Sequence, residues 1–196
     1  MYGRSFFSRL RPIVKEIRMS RRKLPQQFTR AKGMLVFTPT GDDIKEAFER
    51  SEDLGVLPNS FTRGAGRMTG FIGEIAFEKL YPLAKYVGDS SFTHDYVLGK
   101  KTIDVKSKTC TSIPKPEYTA SVNCNKSKKL GAKAYFFTRV KKDMSTAWLL
   151  GWQTASYIQN KKHYKRRGES DSYGFQYKVS GYHLPISLLR RANSLK

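Results

Sequence analysis

The chain has 196 residues, 39% of them apolar, with 12 Phe and 11 Tyr, which is enough for a packed core and argues against wholesale disorder. Its 37 Lys and Arg stand against 16 Asp and Glu, a formal charge of +21. Self-repulsion of that size favours a polyanionic partner, nucleic acid first, because basic side chains release the counterions condensed on phosphates.

No run of 18 apolar residues occurs in the sequence, so no segment reads as a membrane-spanning helix and no membrane role is expected. No secretory signal pattern opens it, and the expected location is intracellular, wherever nucleic acid is found. Cys110 and Cys124 have neither C-x-x-C spacing nor nearby histidines, so they read as reduced, partly buried thiols rather than zinc ligands. The first 33 residues carry ten Lys and Arg and one acid, Glu16. Residues 1–60 are read as a basic N-terminal arm with helical segments, and residues 61–196 as the main domain.

In chain order, "RLRPIVKEIRMSRRKLPQQF" suggests a short helix after Pro12 ending before Pro25, and "MLVF" a short apolar run. "TGDDIKEAFERSEDLG" reads as a helix, with Asp43 and Glu46 at capping-box spacing, Ile44, Ala47 and Phe48 on one face, and Gly55 as the stop. "TRGAGRMTG" is a glycine-rich loop whose spacing misses the dinucleotide fingerprint. It is read as a flexible segment that brings Arg63 and Arg67 near phosphates. A helix over about Gly70 to Tyr81 follows, stopped by Pro82, with Ile72, Ile75, Ala76 and Leu80 facing the core. Glu74 lies off that stripe, beside Gly73, which permits close packing.

The pattern then changes to strands: "AKYVG", "SFTHDYVLG", "KTIDVKSK", "YTASVNC", "AYFFTRV" and "AWLLGW". A short helix is expected from about Gln153 to Lys161, and a strand with a short helical turn closes the chain. Helices followed by a meander of strands define an α/β (α+β) class. Thr119, Ser121 and Asn123 form one polar strand face, suited to support phosphate and more often simply wet. The loop "KKHYKRR", with Lys161, Lys162, Lys165 and Arg166 near Tyr157, Tyr164 and Tyr173, reads as a nucleic-acid grip or a solvated charge run.

The segment "HDYVLGKKTIDVKSK" carries the sharpest chemistry. If Gly99 and Lys100 are the two central residues of a tight hairpin, Leu98 pairs with Lys101, Val97 with Thr102, Tyr96 with Ile103 and Asp95 with Asp104. Directly opposed side chains have Cβ atoms about 4.5–5.5 Å apart, and like charges there destabilise the sheet. A shared proton or a hard divalent cation offsets that repulsion. Strand alternation puts Lys106 and Lys108 on the face of Asp104. Two carboxylates, an adjacent ammonium and a basic surround supply the parts for metal-assisted phosphodiester hydrolysis. A three-residue turn would instead send the two aspartates to opposite faces.

"GEIAFEKL", then Asp95, then "IDVKSK" resembles the PD-(D/E)XK, or restriction-endonuclease-like, nuclease superfamily. Its signature is a helix carrying Glu, a strand carrying Asp and a following strand carrying (D/E)-x-K. The resemblance spans about Gly70 to Trp152, and His94 stands where many members have Pro. It implies a restriction-endonuclease-like core, a central mixed β-sheet flanked by helices. It also implies that Glu74, Asp95, Asp104 and Lys106 are catalytic. One or two Mg2+ or Mn2+ would be held by Asp95, Asp104, the Val105 carbonyl and, through water, Glu74. "GEIAFEKL" is also similar to the start of archaeal Holliday-junction resolvases of that superfamily. The expected activity is a Mg2+-dependent DNA endonuclease acting on double-stranded or branched DNA, with Arg63, Arg67, Lys108, Lys161, Lys162, Lys165 and Arg166 gripping the backbone. A homodimer is compatible with this reading. The alternatives are a branched-DNA resolvase, an RNA-directed nuclease and a non-catalytic basic nucleic-acid-binding protein.

Overall fold

The computed structural model describes residues 24–53, 66–88, 91, 93–124, 129–172 and 174–196. The helix expected after Pro12, the Gly55 stop, Arg63 and Tyr173 lie outside the described residues.

Two short strands come first, β1 (Phe28–Ala31) and β2 (Met34–Phe37), joined by a hairpin whose central residues Lys32 and Gly33 both have positive φ, 49° and 80°. That pair of angles matches the right-handed twist of the strands it connects. Helix α1 (Gly41–Asp53) follows. Its capping box begins three residues earlier than the sequence suggested: Thr40 N donates to Asp43 Oδ2 at 2.8 Å, and Asp43 N donates to Thr40 Oγ1 at 3.3 Å. Asp43 is thus the third helical residue rather than the cap. It is buried, with Lys79 Nζ at 3.0 Å and Gln27 Nε2 donating at 2.7 Å. Its carboxyl is shifted down: burial works against the charge, but the bonds from Thr40, Lys79 and Gln27 outweigh it. Ala47 is buried and Ile44 packs on the core, whereas Phe48, expected on the same face, is exposed.

Helix α2 runs Arg67–Leu80, three residues longer at its start than the periodicity indicated. It is followed by β3 (Lys85–Tyr86), β4 (Tyr96–Leu98), β5 (Lys101–Cys110), β6 (Thr119–Asn123), β7 (Ala134–Lys141), β8 (Ala147–Thr154), α3 (Ala155–Ile158), β9 (Tyr164–Lys165) and β10 (Gly181–Pro185). The closing strand and a 3-10 turn over Ile186–Leu188 match the expected ending. A seven-stranded sheet has the order β1-β2-β8-β7-β5-β4-β3, and a three-stranded sheet has the order β6-β10-β9. β5 and β7 run parallel and the other neighbours in the large sheet are antiparallel, so the central sheet is mixed. The protein is mixed α/β, with few helices flanking that sheet.

The strands alternate between two cores. Ile103, Val105, Phe136, Val140 and Leu149 face α1 and α2, while Tyr135, Phe137, Trp148 and Leu150 face the small sheet and α3. Residues 28–53, read from sequence as an arm ahead of residue 61, are built into this body: β2 pairs with β8, and Phe28, Leu35, Phe37 and Ala47 join the α2 core. Apolar side chains at those positions leave water only by packing there. Among the described residues no helix is long and apolar enough to cross a membrane.

Candidate active site

The hairpin between β4 and β5 closes as the sequence requires. Gly99 has φ 58° at the first central position, and Leu98–Lys101, Val97–Thr102 and Tyr96–Ile103 are the paired residues. A positive φ at this first position costs glycine nothing sterically. The expected fourth pair does not form. Asp95 N donates to Ile103 O at 2.9 Å, the chain leaves the ladder, and the Asp95 side chain takes over: its Oδ2 accepts from Val105 N at 2.8 Å. From Asp104 onward the edge of β5 facing β4 has no paired strand among the described residues.

Asp95 therefore caps an open sheet edge. The N–H and C=O of one strand residue point to the same side, so the Val105 carbonyl opens onto the edge where Asp95 binds the Val105 N–H. Asp104, between Ile103 and Val105, points to the other face of the sheet. It is buried at 8% exposure, and Lys106 Nζ, two residues on, donates to its Oδ1 at 2.6 Å. Asp95 is close enough to share a hydrogen bond with Asp104.

Glu74 comes from α2, and three features seat that helix. Gly73 lies against β5 and β7: a Cβ there would sit 2.0 Å from Ser107 Oγ and 2.5 Å from Thr138 Oγ1. Phe77 stacks at ring distances of 4.9 Å on Tyr96 and 5.0 Å on Phe136, contacts of about 0.5–1.5 kcal/mol each beyond burial. Glu78, one turn after Glu74, accepts two bonds from Arg50, at 2.9 and 3.0 Å, and one from Tyr96 Oη at 2.6 Å. Arg50 also holds Glu46 at 2.6 Å.

The site carries excess buried negative charge. Burial first, then the charge of Asp95, pushes the Glu74 carboxyl up to about 8, against the pull of Arg50 and Lys106. Asp104 is also raised, burial and Asp95 outweighing the Lys106 ammonium. Burial opposes the Lys106 charge, but Asp104 and then Asp95 more than compensate and raise it. Asp104 and Asp95 thus crowd the Lys106 amine, and burial with the neighbouring carboxylates moves Glu74 and Asp104 toward their protonated forms.

Hard oxygen donors of this kind suit Mg2+ or Mn2+. The donors do not form a finished cage: among the described residues no three His, Cys, Asp or Glu side chains are gathered closely enough to hold a metal ion. The oxygen groups present at this open edge are Asp95, Asp104 and the Val105 carbonyl.

Of the expected backbone-gripping residues, Lys108 follows Lys106 on the same face of β5 and Lys165 lies on β9. Lys161, Lys162 and Arg166 are exposed beside β9 and form no ion pair among the described residues. Arg67 donates to Ser51 O at 2.8 Å and ties α2 to the end of α1. Sequence reading missed Arg50 and Glu78, whose only local signal is a charge on each of two helices. Cys110 and Cys124 form no disulfide and are partly buried, as expected. No protein-family model matches the chain, and no curated protein matches it.

Proposed function

We propose that the protein is a metal-dependent DNA endonuclease with a restriction-endonuclease-like core. The observation that carries this reading is the placement of Asp95, Asp104 and Lys106. Asp95 is braced on Val105 N at 2.8 Å, and Lys106 lies 2.6 Å from Asp104, at the point where β4 ends and the edge of β5 that faced it is left open. A parallel β5–β7 pair between antiparallel neighbours, with α2 across one face, supports the superfamily reading. The net charge of +21 supports a polyanionic substrate.

A bound divalent ion would supply Lewis-acid polarisation of a phosphate and a bound water acidic enough to act as nucleophile. Asp95, Asp104 and the Val105 carbonyl would hold it, and Glu74 would position water beside them. The Lys106 ammonium would offset the charge that builds up on a phosphate as the water oxygen bonds to phosphorus and the opposite P–O bond breaks, with the water's proton released to solvent and the leaving oxygen protonated from it. The exposed basic residues near β9 give affinity without reading bases.

Plasmid nicking in Mg2+ tests this, comparing the wild type with Asp104→Ala and Lys106→Ala. Both variants should still shift DNA on a gel and cut it at least a hundredfold more slowly, the scale of losing a positioned catalytic group. Equal behaviour of the three proteins leaves a basic DNA-binding protein whose acids are structural. Four-way junctions cut far faster than linear duplex would select a resolvase, and cleavage of labelled RNA alone would move the substrate class.

A further inference from the structure

A second group of charged and polar side chains lies farther along β5. Lys108 and Arg139 are Cα partners on the parallel β5–β7 pair, so two cations stand side by side on one face. Among the described residues neither pairs with a carboxylate. Arg139 instead donates to Thr119 O at 2.8 Å, which places β6 against it. The small sheet brings Ser121 opposite His183, and Lys165 opposite Gly181 two residues before that histidine. Strand alternation puts all three side chains on one face.

This group is polar without being satisfied. Ser121 is 5% exposed, and its Oγ is buried with no hydrogen-bond partner among the described residues. Both ring nitrogens of His183 are likewise shut from water and lack a hydrogen-bond partner among the described residues, although the Val179 backbone acts on the ring and favours its charged form. Orphaned groups of this kind destabilise the fold unless a ligand completes them. Burial, then Arg139, lowers the Lys108 amine to about 8. Burial, then Lys108 and Lys165, lowers His183 to about 4. The acids Glu169 and Asp171 act on Tyr177, which stacks on His183 at 4.4 Å, and are not felt by Lys108 or Arg139. Three cations that pair with no carboxylate among the described residues, a buried hydroxyl and an imidazole are complementary to an oxyanion with several acceptor oxygens.

We propose that Lys108, Arg139, Lys165, Ser121 and His183 form an anion recess that takes a backbone phosphate of the bound DNA strand, one step along β5 from Asp104 and Lys106. The identity of the ligand rests on the nucleic-acid reading above; the recess itself does not depend on catalysis.

The test is binding of a labelled duplex by fluorescence anisotropy in EDTA, over a series of NaCl concentrations. Each lost phosphate contact lowers the slope of log K against log salt by about 0.9, so Lys108→Gln with Arg139→Gln, which together hold one phosphate, should lower it by about 0.9 and weaken binding on the order of tenfold. An unchanged slope in the folded double variant overturns the proposal. Should that variant not fold, Ser121→Asp gives the second arm. A carboxylate placed among the cations should raise the melting temperature of the metal-free protein and weaken DNA binding. A lower melting temperature with an unchanged slope overturns the proposal. Because cleavage plays no part, a protein that shows the expected slopes yet never nicks plasmid keeps the recess and loses the nuclease reading. One that nicks while its variants bind like wild type does the reverse.

Discussion

Replacing Glu74 by Gln perturbs the buried charge of the site with almost no change of shape. The Glu74 carboxyl rises from 4.5 to about 8 on folding, through burial first and Asp95 second. The folded state therefore binds that proton more tightly than the unfolded chain. Glu74 imposes no cost below pH 4.5, and stability falls as pH climbs from there to about 8. At about 1.36 kcal/mol per pKa unit, the whole interval amounts to roughly 4–5 kcal/mol, an upper figure because solvent still reaches part of the side chain. Urea denaturation in EDTA at steps from pH 5 to pH 9 reads this directly. The wild type should lose stability across the series. Glu74→Gln should be flatter, close to wild type at pH 5 and more stable than it at pH 8. A wild type that gains stability toward pH 8, or a variant destabilised equally at both ends, would refute the assignment of a buried, charge-crowded Glu74.

Asp104→Asn should leave the metal-free protein at pH 8 as stable as wild type or more so, since it relieves crowding with Asp95, while abolishing Mg2+-dependent cleavage; paired thermal melts and nicking assays check both halves. Gly73→Ala forces a methyl against Ser107 and Thr138 on β5 and β7 and should cost about 1–3 kcal/mol in urea unfolding, with cleavage falling as α2 and Glu74 are pushed from the sheet. Thr40→Ala removes the hydroxyl that accepts from Asp43 N and should cost about 1 kcal/mol without changing DNA binding.

The parts legible in the sequence are those fixed by local chemistry. Gly99 followed by Lys100 dictated a two-residue turn, and with it the register of β4 on β5. The stripe Ile72, Ile75 and Ala76 dictated the buried face of α2, and Gly73 its close approach. Where several local rules compete, the reading slipped. Thr40, three residues ahead of Asp43, offered a capping box as good as the one read from Asp43 and Glu46, and the helix begins there because Asp43 is drawn into Lys79 and Gln27. Lys32 before Gly33 is a weak turn signal, since lysine seldom adopts positive φ, and the strongly basic composition around it masks the hairpin of β1 and β2. The departure of Asp95 from the ladder is set by its own side chain competing for Val105 N, which alternation does not reveal. The anion recess is the least legible, because Lys108 and His183 meet only through the packing of two sheets.

The central claim is that the open edge at β5 grips a divalent ion. Crystals soaked in Mn2+ and measured for anomalous scattering test it most directly. The account predicts a peak at about 2.0–2.2 Å from oxygens of Asp95, Asp104 and the Val105 carbonyl, absent in Asp104→Ala. No peak there in a protein that cuts plasmid in Mn2+, or a peak on residues elsewhere, would contradict it.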